Sequence, residues 1–277
     1  MLPPTSDQSN PLSPFLKFAL QLAGVAASEI MPRFQQIEAR FKGDGTPVTE
    51  ADLEAERVMR ELIAITFPEH GIMGEEHPEV TSKGEYTWVL DPIDGTASFE
   101  LGVPTFGTLV SLLENGRPIL GVINFPALKE TVYAEIGHGC WYLDKMGVLT
   151  RQRVSSAKTL NQSYVSTTGL YVTEVNPTQG YTSFSITPLV QQAKRFRFVG
   201  DCLQHALVAR GLLDAALDTK MNPWDNAAII PCILEAGGSV TSGTGETDNL
   251  VFAKSLLSSC TSSLSQEIVA TIQPKTT

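Results

Sequence analysis

Residues 88–99 read Trp-Val-Leu-Asp-Pro-Ile-Asp-Gly-Thr-Ala-Ser-Phe (WVLDPIDGTASF). An apolar run is carried straight into two carboxylates, Asp91 and Asp94, and from them into a Gly-Thr turn. A strand that ends in acidic side chains is costly unless they find partners, because burial strips an ionised group of its hydration. Either the pair caps local backbone or something positive is brought to it. Asp-Gly turns are common, but the end of a strand is also where α/β proteins place their ligand sites.

The surrounding pattern predicts the frame that holds this stretch. The first dozen residues, rich in Pro, Ser and Asn, are expected to be loose. From Ser13, apolar residues recur at helical spacing: Phe15, Phe18, Leu22, Val25, Ile30, Phe34 and Ile37. A glycine-rich loop, FKGDGTPV (41–48), follows. TEADLEAERVMRELIAITF (49–67) then predicts a second helix, opened by Thr49 with Asp52 three residues later and stopped before Pro68. Short runs at 86–91, 106–113, 119–125 and 131–135, bounded by Gly, Pro and Asn, predict neighbouring strands with hairpin-type turns at 114–118 and 125–130.

A Ser/Thr-rich stretch holds a strand at 163–168, and a polar loop at 176–183 follows. Beyond it the pattern alternates: a helix near 202–212, a strand at 214–218, and a helix over 225–235 closed by Gly237-Gly238. Strands near 239–242 and 250–253 and a final helix at 263–272 complete the chain. Strands interleaved with helices predict a layered α/β fold. The expected division is a loose segment at 1–12 and two halves, 13–180 and 181–277.

Composition narrows the function. The 277 residues can bury a large core. Thirty acidic residues against twenty basic ones, a net charge of −10, argue against nucleic acid or an anionic membrane as partner. Cys140, Cys202, Cys232 and Cys260 lack C-x-x-C spacing, which removes zinc-knuckle and thioredoxin-like readings and predicts packed, reduced thiols. The apolar stretch at 15–31 has no Lys or Arg before it and is interrupted by Lys17, Gln21 and Glu29, so it reads neither as a signal peptide nor as a membrane span. A cytoplasmic protein is the expectation.

Three further acidic positions stand out: Glu75-Glu76 in GIMGEEH (71–77), Asp52 in the first turn of the second helix, and Asp225 in NPWDNAAII (222–230). Each has a structural explanation when taken alone. Asp52 completes a capping box, Asp225 caps a helix, and the Glu pair sits solvated in a loop. As an ensemble they suit a hard cation such as Mg²⁺, which takes oxygen ligands. Asp91, Asp94 and the Ile93 carbonyl offer two carboxylates and one backbone oxygen from four residues. Gly95-Thr96 adds unhindered N–H groups and a hydroxyl, suited to an anion. The spacing fits neither an EF-hand nor the D-x-D-x-T of phosphatases that form an aspartyl-phosphate.

GEE (74–76), WVLDPIDGT (88–96) and WDNAA…EAGG (224–238), in this order, resemble the inositol monophosphatase family, as do TEAD (49–52) and VGD (199–201). The resemblance runs from about residue 15 to 255. It implies an αβαβα five-layer sandwich of the inositol monophosphatase/fructose-1,6-bisphosphatase type, α/β in class. It also implies a homodimer that hydrolyses small phosphate monoesters with Mg²⁺, two to three ions per site, and sensitivity to lithium. Carried over by motif, Glu75, Asp91 and the Ile93 carbonyl would hold one metal, Asp91, Asp94 and Asp225 a second, and Glu75 with waters a third. Gly95 and Thr96 would bind phosphate, Asp52 and Thr96 would orient the attacking water, and the 41–48 loop with Lys42 and Asp44 would form a lid. The histidines at 70, 77, 138 and 205 need take no part.

For the substrate, residues 106–130, the STT at 166–168 and GDC (200–202) resemble the histidinol-phosphatase branch. Asp201, Cys202 and Asp218 are the implied substrate-binding positions, with Asp201 able to pair with the ammonium of histidinol phosphate. Asp201 also reads as a helix N-cap. Ala97 stands where that branch commonly has Lys or Thr, and GDCLQH lacks the aromatic often found after the Cys. Inositol-1-phosphate or another sugar phosphate is the alternative substrate, and a metal-binding scaffold without turnover is the alternative outside enzymes.

Overall fold

The computed structural model describes residues 12–36, 40–41, 47–48, 50–157, 159–170, 174, 179–272 and 274. Helix α1 (Pro14–Ile30) opens at the expected place: Ser13 Oγ accepts from the Leu16 N–H at 3.0 Å, and Pro14 takes the first helical position. It ends at Ile30, and Phe34 lies in the turns that follow. Ile37 lies outside the described residues, as do Lys42, Asp44 and Thr49; of the glycine-rich segment, β1 (Arg40–Phe41) pairs antiparallel with β2 (Pro47–Val48). Helix α2 (Glu50–Thr66) follows, burying Ala51, Ala55, Met59 and Ile63 along one stripe.

Seven strands form the larger sheet in chain order: β3 (Gly71–Gly74), β4 (Tyr86–Asp94), β5 (Gly107–Glu114), β6 (Arg117–Phe125), β7 (Glu130–Glu135), β8 (Gly139–Leu143) and β9 (Leu149–Gln152). Only β3–β4 is parallel; the remaining pairs are antiparallel. The smaller sheet runs β11 (Arg195–Phe198), β10 (Tyr164–Thr167), β12 (Ala215–Asp218), β14 (Leu256–Ser259), β13 (Ser239–Thr241). Strand β10, ahead of the expected boundary at 180, thus belongs with the later strands.

The strand expected at 250–253 is a 3₁₀ turn over Leu250–Phe252 instead. Asn226 Nδ2 donates to the Val251 carbonyl at 3.1 Å and to that of Ala253 at 2.8 Å. Those carbonyls are therefore committed to a side chain rather than to a strand ladder, and β14 begins only at Leu256.

Alternation along the strands sorts the core into layers. Trp88 and Leu90 face α1 and α2, whereas Val89 faces inward. Between the two sheets lie α5 (Asp201–Ala209) and α6 (Pro223–Glu235), packed on both. On the far face of the smaller sheet sit α4 (Thr187–Gln192) and α7 (Ser262–Ile272), against Val165, Leu217 and Leu257. The order is αβαβα, as the resemblance implied. Helix α6 approaches the larger sheet closely: a Cβ on Gly121 would lie 2.1 Å from the Ala228 carbonyl oxygen. Ser111 Oγ bridges the same interface, 2.7 Å from the Leu120 carbonyl and 3.1 Å from that of Ala227.

Candidate active site

Asp91 and Asp94 are three residues apart, which strict alternation would send to opposite faces of β4. The register prevents that. Asp91 pairs with Leu109 and Asp94 with Gly107, so three steps on β4 oppose two on β5. This bulge inserts one residue and turns both carboxylates to the inner face. The Ile93 side chain is correspondingly buried beside Phe99 and Phe106 on the α1/α2 side. Two carbonyls freed by the bulge are taken by hydroxyls: Thr108 Oγ1 donates to Pro92 O at 2.8 Å and Thr96 Oγ1 to Ile93 O at 3.2 Å. Gly95 follows at φ +87°, a conformation that favours glycine, and caps the short helix α3 (Thr96–Glu100).

Asp225 comes from the first turn of α6. Its Oδ2 accepts from the Asn222 N–H at 2.7 Å, the reciprocal half of a capping box. Asn222 is the N-cap and Pro223 the first helical residue, so Asp225 sits two positions inside the helix rather than capping it. One oxygen from each of Asp91, Asp94 and Asp225 lies within 4.8 Å of the others. Asp91 is only 1% exposed, and its Oδ1 has no hydrogen-bond partner among the described residues.

Glu75 is delivered by register as well. Gly74 pairs with Leu90, so the chain leaves β3 level with Asp91. Asp52, buried in the first turn of α2, and Glu75 both act electrostatically on Asp91. Burial pushes the Asp91 carboxyl well above its ordinary range, and Glu75, Asp94, Asp225 and Asp52 add to the rise. Asp94 is raised by burial, then by Asp201 and Asp225, against the Cys202 N–H that donates to it. Asp225 is pushed up to about 7 by burial and Glu75, partly offset by the Asn222 N–H. The repulsion among these groups is what a divalent cation relieves, and the donors are all hard oxygens. The residues fit such an ion.

The three positions expected at the substrate fall together at the junction of α5 with the smaller sheet. The N-cap of α5 is Gly200; Asp201 is the first helical residue, at φ +51°. Its carboxylate therefore does not cap. Oδ2 accepts from Ser98 Oγ at 3.2 Å, and a Cβ on Gly95 would meet the same oxygen at 2.6 Å. Burial and Asp218 raise the Asp201 pKa to about 6, with Ser98 opposing. Cys202 donates its N–H to Asp94, and its thiol is buried against Gly107. Asp218 is enclosed by Thr168 Oγ1, by Gln204 Nε2 at 2.6 Å and by His205 Nε2 at 3.0 Å.

Sequence reasoning missed several residues here. Ser98 and Gln204 carried no signal of their own. His205 is fully buried, with Nδ1 2.8 Å from Ser258 Oγ. Glu56 offered only its spacing, one helical turn after Asp52 on the same side of α2. His77 stays partly exposed, with Nε2 3.0 Å from the Leu53 carbonyl.

Residues 11–276 match the model of the inositol monophosphatase family. A histidinol-phosphatase from Chlorobaculum parvum is 39% identical over 229 residues, covering 82% of this chain and 85% of the relative. A fructose-1,6-bisphosphatase/inositol-1-monophosphatase from Thermotoga maritima is 35% identical over 245 residues, covering 87% and 90%. A solved Thermotoga maritima IMPase superposes with a TM-score of 0.81 at 32% identity, covering 94% of this chain and 96% of that one. Fold, acidic cluster and near-complete coverage agree: this chain belongs to the inositol monophosphatase family, hydrolases of phosphate monoesters.

Proposed function

We propose that this protein hydrolyses a small phosphate monoester with Mg²⁺, and that the substrate is histidinol phosphate. The observation that carries the reading is the convergence of Asp91, Asp94 and Asp225 oxygens within 4.8 Å of one another. Glu75, Asp91, Asp94, Asp225 and the Ile93 carbonyl hold two to three ions. When bound, Mg²⁺ supplies Lewis acidity toward water and phosphate oxygens. Asp52 and Thr96 hold the attacking water, and the N–H groups of Gly95 and Thr96 hold phosphate oxygens. Cys202 steadies Asp94 through its N–H. No nucleophilic side chain is required.

Asp201 receives the substrate's ammonium group. Supporting this, its carboxylate lies against Gly95 and Ser98 instead of capping α5, and the Chlorobaculum relative is a histidinol-phosphatase. Asp218 adds negative potential behind it. The Thermotoga relative's name favours a second reading, inositol-1-phosphate or a sugar bisphosphate. The family resemblance supports a homodimer and lithium inhibition. Four buried free cysteines suit a reducing, cytoplasmic setting, and among the described residues no helix is long and apolar enough to cross a membrane.

The test is kcat/KM with Mg²⁺ for histidinol phosphate, inositol-1-phosphate, fructose-1,6-bisphosphate and a 3′-phosphonucleotide, repeated with Asp201→Asn. A selective loss on histidinol phosphate, on the order of ten- to a hundredfold, is the worth of one charged hydrogen bond, about 1.5–3 kcal/mol. Unchanged selectivity discards the ammonium pairing. No Mg²⁺-dependent phosphate release from any of the four discards the phosphatase.

A further inference from the structure

Glu56 is a carboxylate with no solvent exposure at all, on a helix whose apolar stripe runs through Ala51, Ala55, Met59 and Ile63. Burying a charge there is unfavourable unless every oxygen is engaged. Three donors converge on it. Arg60 Nε lies 2.6 Å from Oε1, the His77 N–H 3.1 Å from the same oxygen, and the Glu76 N–H 2.8 Å from Oε2. Arg60 extends past it to the carbonyls of His77 at 3.0 Å and Pro78 at 2.9 Å. Gly74 makes the approach possible, since a Cβ there would stand 2.3 Å from Glu56 Oε1.

Apart from the ion pair between Arg60 and Glu56 itself, every one of these bonds lands on backbone, and all of it belongs to the segment 76–78 immediately after Glu75. The preceding residue, Gly74, is fixed by its register with Leu90. Glu75 is thus held from both sides, by a strand ladder before it and by a side-chain clamp after it. Past Gly74 the chain leaves the ladder of β4, and backbone pairing resumes at the Ile72–Val80 bridge. The helix that clamps it also carries Asp52, four residues before Glu56 and Arg60 four after, so one side of α2 spans from the acidic cluster to the loop.

We propose that Glu56, with Arg60, is the positioning pair that aims Glu75 at the Asp91–Asp225 cluster and so sets the affinity of the site for its divalent cation. The inference rests on the Mg²⁺-dependent reading above. Glu56 touches neither ion nor substrate. It fixes the peptide groups that follow a ligand, and partners of that kind are worth about ten- to a hundredfold in metal affinity.

The experiment compares Glu56→Gln with the unmodified protein. Gln fills the same volume but has one acceptor oxygen. If that oxygen keeps Arg60 and His77, the new NH₂ faces the Glu76 N–H and that bond is lost. Mg²⁺ binding is read by titration calorimetry, beside the Mg²⁺ concentration for half-maximal phosphate release and kcat at saturating Mg²⁺. The expected result is a Mg²⁺ Kd raised on the order of tenfold with kcat at saturation kept within about threefold. Arg60→Lys, which keeps a positive charge beside Glu56 and gives up the guanidinium's paired bonds to the His77 and Pro78 carbonyls, shifts Kd the same way and serves if Glu56→Gln does not fold. A merely structural role lowers Tm and leaves the Kd unmoved. An unchanged Kd in the folded variants overturns the positioning role alone, whereas an unmodified protein that binds no Mg²⁺ overturns the metal-dependent reading with it.

Discussion

Replacing Asp225 by Asn is expected to stabilise the protein in excess chelator at pH 8 while abolishing phosphatase activity. In the fold, burial and the Glu75 carboxylate raise the Asp225 pKa from 3.8 to about 7. The unfolded chain releases that proton near 3.8, so between 3.8 and about 7 the folded state binds more protons than the unfolded one. Stability therefore falls as pH rises through that window, and the loss is complete above it. At ~1.4 kcal/mol per pH unit the rise amounts to about 4 kcal/mol. That figure is a ceiling, because Asp225 keeps partial solvent contact. Opposing the gain, Asn keeps only a neutral version of the bond from the Asn222 N–H. The net expectation is about 1–3 kcal/mol in favour of the variant at pH 8, shrinking as pH falls toward 4. Urea denaturation from pH 8 to 5 in chelator, followed by circular dichroism, reads the difference. Saturating Mg²⁺ reverses the ranking, because the unmodified protein gains more from binding. A variant less stable than the unmodified protein by the same margin at every pH refutes the reasoning, since the carboxylates would then not be repelling one another.

Gly95→Ala places a Cβ 2.6 Å from Asp201 Oδ2 on a backbone at φ +87°. It is expected to cost about 1–3 kcal/mol and to lower kcat/KM, read by thermal denaturation beside turnover; a variant with unchanged Tm and turnover counts against the close packing described. Gly121→Ala forces a methyl to within 2.1 Å of the Ala228 carbonyl oxygen and pries α6 from β6. The expected cost is about 1–3 kcal/mol, which lowers Tm by roughly 2–10 °C in a chain of this size; an unaltered Tm contradicts it.

Much of the larger sheet is legible in the chain because β5, β6 and β7 are long apolar runs cut by Asn-Gly and Pro. Strand β3 is not, because GIMG is four residues with a glycine at each end and resembles a turn. Strand β11, RFRF, alternates charge with aromatic rings and carries no apolar run to betray it. In β14 the buried serines mislead: the hydroxyl of Ser258 meets His205 and that of Ser259 meets Ser265. The acidic cluster is legible because Asp91, Asp94 and Asp225 sit in unusual local settings. Glu56 is not, because a helical Glu looks solvated until its partners, peptide N–H groups twenty and twenty-one residues away, are known. The role of each acidic residue came from resemblance to a family, whereas their closeness came from the fold.

The extra residue in β4 acts as a phase inverter. Ahead of it, even-numbered side chains such as Trp88 and Leu90 enter the helical layer; past it, odd-numbered Ile93 does so and even-numbered Asp94 is released to the interior cleft. Were the same residues paired without the bulge, strict alternation would return, driving Asp94 among Phe99 and Phe106. A strand of unchanged length and composition would then carry half its acidic pair into oil. The chemistry of this protein hangs on an odd number.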